Sequence, residues 1–568
     1  MRLSGKGKNL FYLRTSQSRW VSQKTNQKPF YITTPIFYVN AAPHLGHLYS
    51  MLLCDVRNRW EKLNNRPSLF TTGTDEHGLK VQAAAEKNGK PPKEFVDSLA
   101  ETFKDLASLT NINYDRFIRT TDDDHVKAVT EFWNIVKEKG YIYQGQHSGW
   151  YSVSDETFYP ETQIEERADP KTGEKKVVSI ETGTEVLFQK ETNYFFKLSL
   201  FYNDLLKLLH ERKDFIIPRS KQDEMIKELE KNGKLEDLSV SRPSSRLKWG
   251  IPVPGDDSQT IYVWFDALVN YLTSAGFPWN GSNSIEFSEQ NHWPATHLVG
   301  KDIVKFHGIY WPSFLMAAGV EVPKQLVVHG HWLCQGTKMS KSLGNVVDPV
   351  LMAKYYGTDP LRFFLCENSV LEGDGDFNEE RLFYSRNNVM SKIANLIMRS
   401  CGTKFNIARA VESYQNKLIN ESTLDSFAAD KQIKEKYQQL MNDLNNLTEK
   451  VGKNIETYQM IRATDELWNV ISQANQLFQL SEPWSLDVSN ESELRKQDAI
   501  IFASIETARL VSILLKPFMP ELSNTFLDRM SVDVDHRDTG FAKVGCDVYG
   551  SGANRSGDAP MQKLKKRS

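Results

Sequence analysis

Phe30-Tyr31-Ile32-Thr33-Thr34-Pro35-Ile36-Phe37-Tyr38-Val39-Asn40-Ala41-Ala42-Pro43-His44-Leu45-Gly46-His47 opens with aromatic and β-branched residues and closes at a proline from which a helix can start. Residues 30–33 read as a strand. Behind Pro43, Leu45, Leu48, Leu52 and Val56 recur at helical spacing, so the unit is strand, loop, helix. Ser68-Leu69-Phe70-Thr71-Thr72 is a second strand, and a Gly73-Thr74-Asp75-Glu76-His77-Gly78 loop leads from it to an alanine-rich helix at about Leu79 to Lys87. Two strand-to-helix crossovers within the first ninety residues point to a parallel α/β sheet, because parallel neighbours need a long connection.

Further along, residues 143–245 change character. Aromatic and polar residues dominate, Asp169-Pro170-Lys171-Thr172-Gly173 marks a turn, and a charged helix follows near 221–232. The α/β pattern resumes at Thr260-Ile261-Tyr262-Val263-Trp264-Phe265 and at Thr296-His297-Leu298-Val299. This spacing predicts a Rossmann-like parallel sheet in two halves, 29–142 and 246–378, split by an inserted connective domain over 143–245. After Glu379 strands disappear, and amphipathic runs such as Val389 to Met398 and Leu467 to Leu480 predict an α-helical bundle over 379–531. Residues 532–568 read as a C-terminal extension, loosely ordered over 532–558, where Asp, Gly and Ser dominate; its basic end, Lys563-Leu564-Lys565-Lys566-Arg567, could touch a phosphate backbone or be a solvated tail.

A chain of 568 residues is too long for one core and predicts several domains. Hydrophobic residues make up 40% and charged residues 25%, which excludes wholesale disorder. No run approaches the roughly 20 apolar residues that span a bilayer, so membrane insertion is not expected. Cys54, Cys334, Cys366, Cys401 and Cys546 include no pair at zinc-knuckle or redox spacing, which suits a reducing compartment. The net charge of -2 excludes nothing, since a nucleic-acid binder of this size can confine its basic residues to one face.

The distribution of charge says more. Arg2, Lys6, Lys8, Arg14, Arg19, Lys24 and Lys28 precede the first acid, Asp55, and serines and threonines lie between them. Residues 1–28 therefore read as a mitochondrial transit peptide, which places the mature chain in the matrix. A short disordered basic arm that touches RNA is the alternative.

Two short stretches carry chemistry suited to a triphosphate. His44 and His47, in the first turn of a helix, combine imidazole donors with the positive end of the helix dipole. Gly46 lies between them, where a side chain would obstruct a nucleotide. Lys338-Met339-Ser340-Lys341-Ser342 follows Gly336, so two ammonium groups on a mobile loop can swing onto phosphates and reserve their charge for the transition state. Gly300-Lys301-Asp302, directly after a strand, suits ribose and phosphate contacts.

With Thr34 to Asn40, Gly73 to Gly78, Tyr262-Val263-Trp264-Phe265-Asp266-Ala267 and Gly300 to His307, these stretches make the chain resemble the methionyl-tRNA synthetases of bacteria and mitochondria, within the class I aminoacyl-tRNA synthetases. The resemblance extends over about residues 30 to 530. It implies ATP with Mg2+, L-methionine and tRNA(Met) as partners, and adenylate formation followed by transfer to tRNA. The implied ATP site is His44, Gly46, His47, Lys301, Asp302, Lys338, Ser340 and Lys341, with His44, His47, Lys338 and Lys341 catalytic. The implied methionine pocket is Ile36, Tyr38, Asp75, Trp264, Ala267, Leu268, Tyr271, Phe306 and His307. Aromatic walls suit a polarizable thioether, and Asp75 would pair with the α-ammonium. In the bundle, Asn395, Arg399 and Trp484 are the implied anticodon readers, joining a stacking ring to amide and guanidinium donors.

The chain departs from the family in one place. Ser152 and Asp155 stand where many members carry the first cysteine pair of a zinc knuckle, and no cysteine occurs from 55 to 333. The expectation is an insertion without structural zinc, held by Trp150, Tyr151, Phe158, Tyr159, Tyr194, Phe195 and Phe196. A monomer is expected. Synthetases for leucine, isoleucine, valine or cysteine share the two signatures and remain rivals. A catalytically idle tRNA- or intron-binding protein on the same scaffold is the rival from outside enzymology.

Overall fold

The computed structural model describes residues 28–152, 157–159, 161–168, 175–279, 292–339, 344–427, 431–553, 559, 561–562 and 564. The leader expected over 1–28 lies outside these residues apart from Lys28, as does the basic C-terminal cluster apart from Leu564.

A seven-stranded sheet organises the α/β half of the chain. Its path runs Ile216–Ile217, Gln325–His329, Thr296–Gly300, Phe30–Thr33, Ser68–Asp75 and Phe37–Tyr38, with Arg116–Arg119 on the far side of Ser68–Asp75. All its pairings are parallel, and Ile32 lies between Phe70 and Thr296. Ile32, Phe70, Leu298 and Val327 are buried, as expected of a parallel sheet covered by helices on both faces. From Phe30–Thr33 the first half of the chain builds outward in one direction and the second half in the other. The crevice at the strands' C-terminal ends therefore opens at this switch point, where α/β sheets bind ligands.

The helix expected after Pro43 is Leu45–Leu63, and the one expected at 79–87 is Leu79–Lys87. The second strand is longer than expected. It runs through Asp75, so Gly73, Thr74 and Asp75 lie in the sheet rather than in a loop. The reason is the neighbouring strand: a Cβ on Gly73 would sit 1.9 Å from the carbonyl oxygen of Ile118, and only glycine admits that approach.

A second correction concerns 260–265. The strand Asp256–Ile261 belongs to a small antiparallel sheet with Ser241–Pro243 and Pro252–Val253, and Val263–Ser274 is a helix. Every residue of that helix from Phe265 to Thr273 is buried. A helix buried on nearly every side presents no solvent face, so its period is hidden in the sequence.

The insertion is built on the antiparallel pair Ile142–Ser152 and Leu187–Phe196. Phe196 packs edge-on against Phe314 of the α/β half at 4.8 Å, so its core is shared rather than separate. Arg242 and Arg246 lie over the buried Tyr151 ring at 5.1 and 5.0 Å. Trp150 meets Phe188 edge-on, and Tyr194 meets Trp133. The side chain of Phe158 lies outside the described residues. The expected charged helix is Arg219–Asn232, and before it the chain returns to the large sheet at Ile216–Ile217.

The bundle comprises Lys431–Glu456, Met460–Ser481, Glu491–Leu515 and Pro520–Arg529, preceded by Glu379–Asn388, a π-turn at Val389–Ala394 and Asn395–Ser400. The third correction falls on the extension, which is packed rather than loose as far as it is described. Glu506 and Arg509, both fully buried, pair at 2.6 Å. Glu506 accepts from Gly545 N at 2.8 Å and Tyr549 Oη at 2.6 Å, and Arg509 donates to the carbonyls of Phe541 and Lys543. A polar, glycine-rich composition hides this because the ordering force is a buried ion pair on another helix. Among the described residues, no helix is long and apolar enough to cross a membrane.

Candidate active site

The first turn of Leu45–Leu63 lies at the mouth of the crevice. His44 is the N-cap, and its Nδ1 accepts from Gly46 N at 3.1 Å; His47 Nδ1 accepts from His44 N at 3.0 Å. Each imidazole thereby spends Nδ1 on the backbone, which leaves Nε2 as the protonated nitrogen of a neutral ring. His47 meets Phe37 and Phe103 edge-on at 4.9 and 5.2 Å, and burial, with the charge of His44 behind it, holds its pKa well below the usual histidine value. The two rings lie 3.9 Å apart. His47 is thus a neutral donor, and both rings present Nε2 at the positive end of a helix, suited to oxygens on which negative charge grows. A Cβ on Gly46 would come within 2.9 Å of the His44 ring, so the glycine protects the imidazole's own position.

Across the crevice lie two carboxylates and three basic groups. Lys301 Nζ bonds both oxygens of Asp374 at 2.8 and 2.9 Å. Asp302 Oδ2 accepts from His331 Nε2 at 2.9 Å and from Lys338 Nζ at 3.1 Å. The bond from His331 pulls the Asp302 pKa down to about 2, against burial and with help from Lys338. Ser340 and Lys341 lie outside the described residues.

Most of the residues expected to enclose methionine lie on the helix Val263–Ser274 and the turn Phe306–Tyr310. Trp264 and Phe306 stack face to face at 3.7 Å, forming a half-buried aromatic wall. Ala267, Leu268 and Tyr271 follow Trp264 on one helix and are buried. His307 Nδ1 donates to the Ile303 carbonyl at 2.9 Å, and its Nε2 accepts from Tyr271 Oη at 2.7 Å. Burial lowers the His307 pKa to about 4, so this acceptor persists at neutral pH. Burial, with smaller contributions that include the charge of Asp75, raises the Tyr271 pKa. Phe306 and His307 sit on a π-turn, Phe306–Tyr310, a local irregularity that often marks working positions. Tyr38 pairs with Asp75 in the sheet and carries Lys80 over its ring at 5.4 Å; Ile36 is half-buried just before it.

In the bundle, Arg399 lies over Phe478 at 4.4 Å and Trp484 at 6.0 Å, and donates to Gln479 at 3.1 Å. Asn395, one turn earlier, is exposed. The C-cap Glu482, with φ 43°, turns the chain after Met460–Ser481 so that Trp484 folds back beside Phe478.

The family model described as tRNA synthetases class I (M) matches residues 30–401, and that described as the anticodon binding domain of methionyl tRNA ligase matches residues 428–544. The chain belongs to the class I methionyl-tRNA synthetases. It is 50% identical to the mitochondrial methionine–tRNA ligase of Candida albicans over 95% of this chain and 96% of that protein. The corresponding protein of Saccharomyces cerevisiae is 48% identical over 96% of this chain and 98% of its own. The crystal structure of Mycobacterium tuberculosis methionyl-tRNA synthetase bound by methionyl-adenylate superposes with a TM-score of 0.82 at 34% identity, covering 94% of this chain and 100% of that one.

Against this synthetase scaffold, several residues that sequence reasoning passed over become visible. His297 lies against Tyr271 at 4.1 Å, bonds Thr33 Oγ1 through Nδ1 at 2.8 Å, and accepts from Trp311 Nε1 at 3.1 Å. Tyr31 Oη donates to the Tyr271 carbonyl at 3.0 Å. Asp266, fully buried, bonds His77 at 2.6 Å and His125 at 2.8 Å, tying the strand end that carries Asp75 to the helix that carries Trp264. No spacing in the sequence announces these contacts, and those of Thr33 with His297, Tyr31 with Tyr271 and Asp266 with His77 and His125 join residues more than a hundred positions apart. Among the described residues, no cluster of three or more His, Cys, Asp or Glu is placed to hold a metal ion. Ser152, at one former knuckle position, shares a hydrogen bond with Thr184 at 2.9 Å; Asp155 lies outside the described residues.

Proposed function

We propose that this chain is a mitochondrial methionine–tRNA ligase acting in two steps. The methionine carboxylate attacks the α-phosphorus of ATP, an oxygen–phosphorus bond forms as the bond to pyrophosphate breaks, and methionyl-adenylate results. A ribose hydroxyl at the tRNA 3′ end then attacks the activated carbonyl and AMP leaves. The observation that carries the reading is that Lys301 and Asp302 leave the strand beside Phe30–Thr33, and that the His329–His331 segment, which bonds Asp302 through His331, is tied through His329 and Ser50 to the turn bearing His44 and His47.

In this reading His44 and His47 donate Nε2–H to phosphate oxygens, and Lys338, with Ser340 and Lys341 beyond it, neutralises the leaving pyrophosphate. Gly46 keeps the His44 ring in place, Lys301 adds charge, and Asp302 accepts from the ribose. ATP brings its Mg2+ on the triphosphate. Asp75 pairs with the methionine ammonium, while Ile36, Tyr38, Trp264, Ala267, Leu268, Tyr271, Phe306 and His307 enclose the side chain. Residues 1–28 direct the chain to the matrix, 29–142 and 246–378 form the catalytic body, and 143–245 is a zinc-free insertion. Residues 379–531 read the anticodon of tRNA(Met) through Asn395, Arg399 and Trp484, and 532–568 is a C-terminal extension. All these parts lie in one chain, which suits a monomer.

Amino-acid-dependent exchange of labelled pyrophosphate into ATP tests the reading. Methionine should support exchange far better than leucine, isoleucine, valine or cysteine. A preference for leucine would overturn the pocket assignment, and no exchange with any of them would favour an idle tRNA binder.

A further inference from the structure

The carboxylate of Asp302 receives two basic groups on one oxygen, and the two are held very differently. His331 sits on a fastened backbone. Its N donates to Asp374 Oδ1 at 2.8 Å, and its carbonyl accepts from Gly375 N at 2.8 Å. Gly330, immediately before it, lies so close to the opposite loop that a Cβ there would be 1.7 Å from the Gly373 carbonyl oxygen. Two residues back, His329 Nε2 bonds Ser50 Oγ at 2.8 Å, and Ser50 bonds the Gly46 carbonyl at 3.3 Å, so this loop is anchored to the first turn of the signature helix. Lys338 is the opposite case: a four-carbon stem with a side chain 68% exposed, at the end of the short strand Thr337–Lys338.

We propose that His331 is the positioning residue that holds Asp302 for the ribose hydroxyls of ATP, and that Asp302 exchanges Lys338 for the ribose at the same oxygen. The inference rests on the reading of Asp302 as the ribose acceptor. A carboxylate can trade a charged donor for a neutral hydroxyl only if another donor keeps it oriented and compensated. His331 is that donor, because its backbone is pinned to a loop that does not depend on Lys338. The ammonium displaced by the ribose becomes available to the phosphates a short swing away. Recognition of the nucleoside and release of the lysine are thereby one event at one atom.

The test is pyrophosphate exchange by the full chain with ATP, 2′-deoxy-ATP and 3′-deoxy-ATP, comparing wild type with Asp302→Ala, His331→Phe and His331→Gln. Asp302→Ala should shrink the preference for ATP over at least one deoxy analogue. His331→Phe should shrink the same preference and lower kcat/KM for ATP about tenfold, chiefly through KM for ATP, with KM for methionine little changed. His331→Gln, whose amide can donate to Asp302, should recover most of both. A His331→Phe enzyme that is less active yet keeps its full preference, or a glutamine variant that recovers nothing, overturns the positioning role. An Asp302→Ala enzyme that keeps the full preference overturns the ribose reading itself, and the inference with it.

Discussion

Replacing Arg362 with methionine should destabilise the chain by about 3 kcal/mol, near the lower edge of what breaking a buried ion pair costs. Arg362 is fully buried in the helix Thr358–Glu367. Its Nη2 bonds Asp55 Oδ2 at 2.6 Å and the Pro517 carbonyl at 2.9 Å, Nε bonds the Phe518 carbonyl at 3.0 Å, and Nη1 bonds the Thr110 and Asn111 carbonyls at 3.1 Å. One guanidinium thus joins the helix that begins at His44, the loop after Pro92–Leu109, and the turn leaving Glu491–Leu515. Methionine fills comparable space but donates nothing. The estimate stays low because Asp55 keeps Arg59 Nε at 2.7 Å and Asn113 N at 2.9 Å, so its charge is not abandoned. For a cooperative unit of 150 to 250 residues, about 3 kcal/mol corresponds to a fall in Tm of about 10 °C. Thermal unfolding followed by near-ultraviolet circular dichroism measures it. The control is Arg495→Met, which breaks a partly exposed pair with Glu491 and loosens contacts to Ser413 and to Asp498, whose nearer partner Arg409 stays, and should cost about 1 kcal/mol. Arg362→Lys keeps the charge without the fork and should recover less than half. Equal shifts for Arg362→Met and Arg495→Met would refute the reasoning.

Acid should destabilise the fold in the histidine range. Burial lowers His307 and His329 to about 4, so each is neutral when folded and takes up a proton on unfolding below about 6.5. Their stabilisation is complete above about pH 6.5 and falls as pH descends toward 4, by about 2 kcal/mol each at pH 5. His47 and His297 add in the same sense. Asp359, raised by burial to about 6, opposes them with about 1 kcal/mol at pH 5. Urea unfolding at pH 7 and pH 5 should show a clear net loss, and unchanged stability would count against buried neutral histidines. In the bundle, Trp484→Ala should lower kcat/KM for tRNA charging roughly ten- to hundredfold if a base stacks on it, while methionine-dependent pyrophosphate exchange stays nearly intact. Equal loss of both steps would make Trp484 a structural residue.

Local patterns were legible where an element carries its own period or its own punctuation. The first strand, the helix after Pro43 and the alanine-rich helix at 79–87 were all readable, because alternation, apolar spacing and a proline act within a few residues. The lysine and histidine signatures were legible for the same reason, being short and contiguous. The helix after residue 265 was expected, but its first turn, residues 263–265, was misread as strand because burial on every side erases its amphipathic period. Gly73 to Asp75 was misread as a loop because the strand there is continued by distant partners, Arg116–Arg119 on one side and Phe37–Tyr38 on the other. The extension after residue 531 looked loose because Glu506 and Arg509, which order it, belong to another helix.

The sequence by itself determined the α/β order, the helical C-terminal half, the His44–His47 and Lys338 signatures and the family they belong to. Tertiary structure alone decided which side chains meet. His331 reaches Asp302, Tyr271 reaches His307 and His297 supports Tyr271 only once the strands and helices of the second half pack together, and Arg362 joins Asp55 only when that half closes on the first. Such contacts are set by strand register and helix packing, which depend on the whole chain at once, whereas a motif depends only on its neighbours. The signatures therefore identify the chemistry, and the long-range hydrogen bonds determine how each donor and acceptor is aimed.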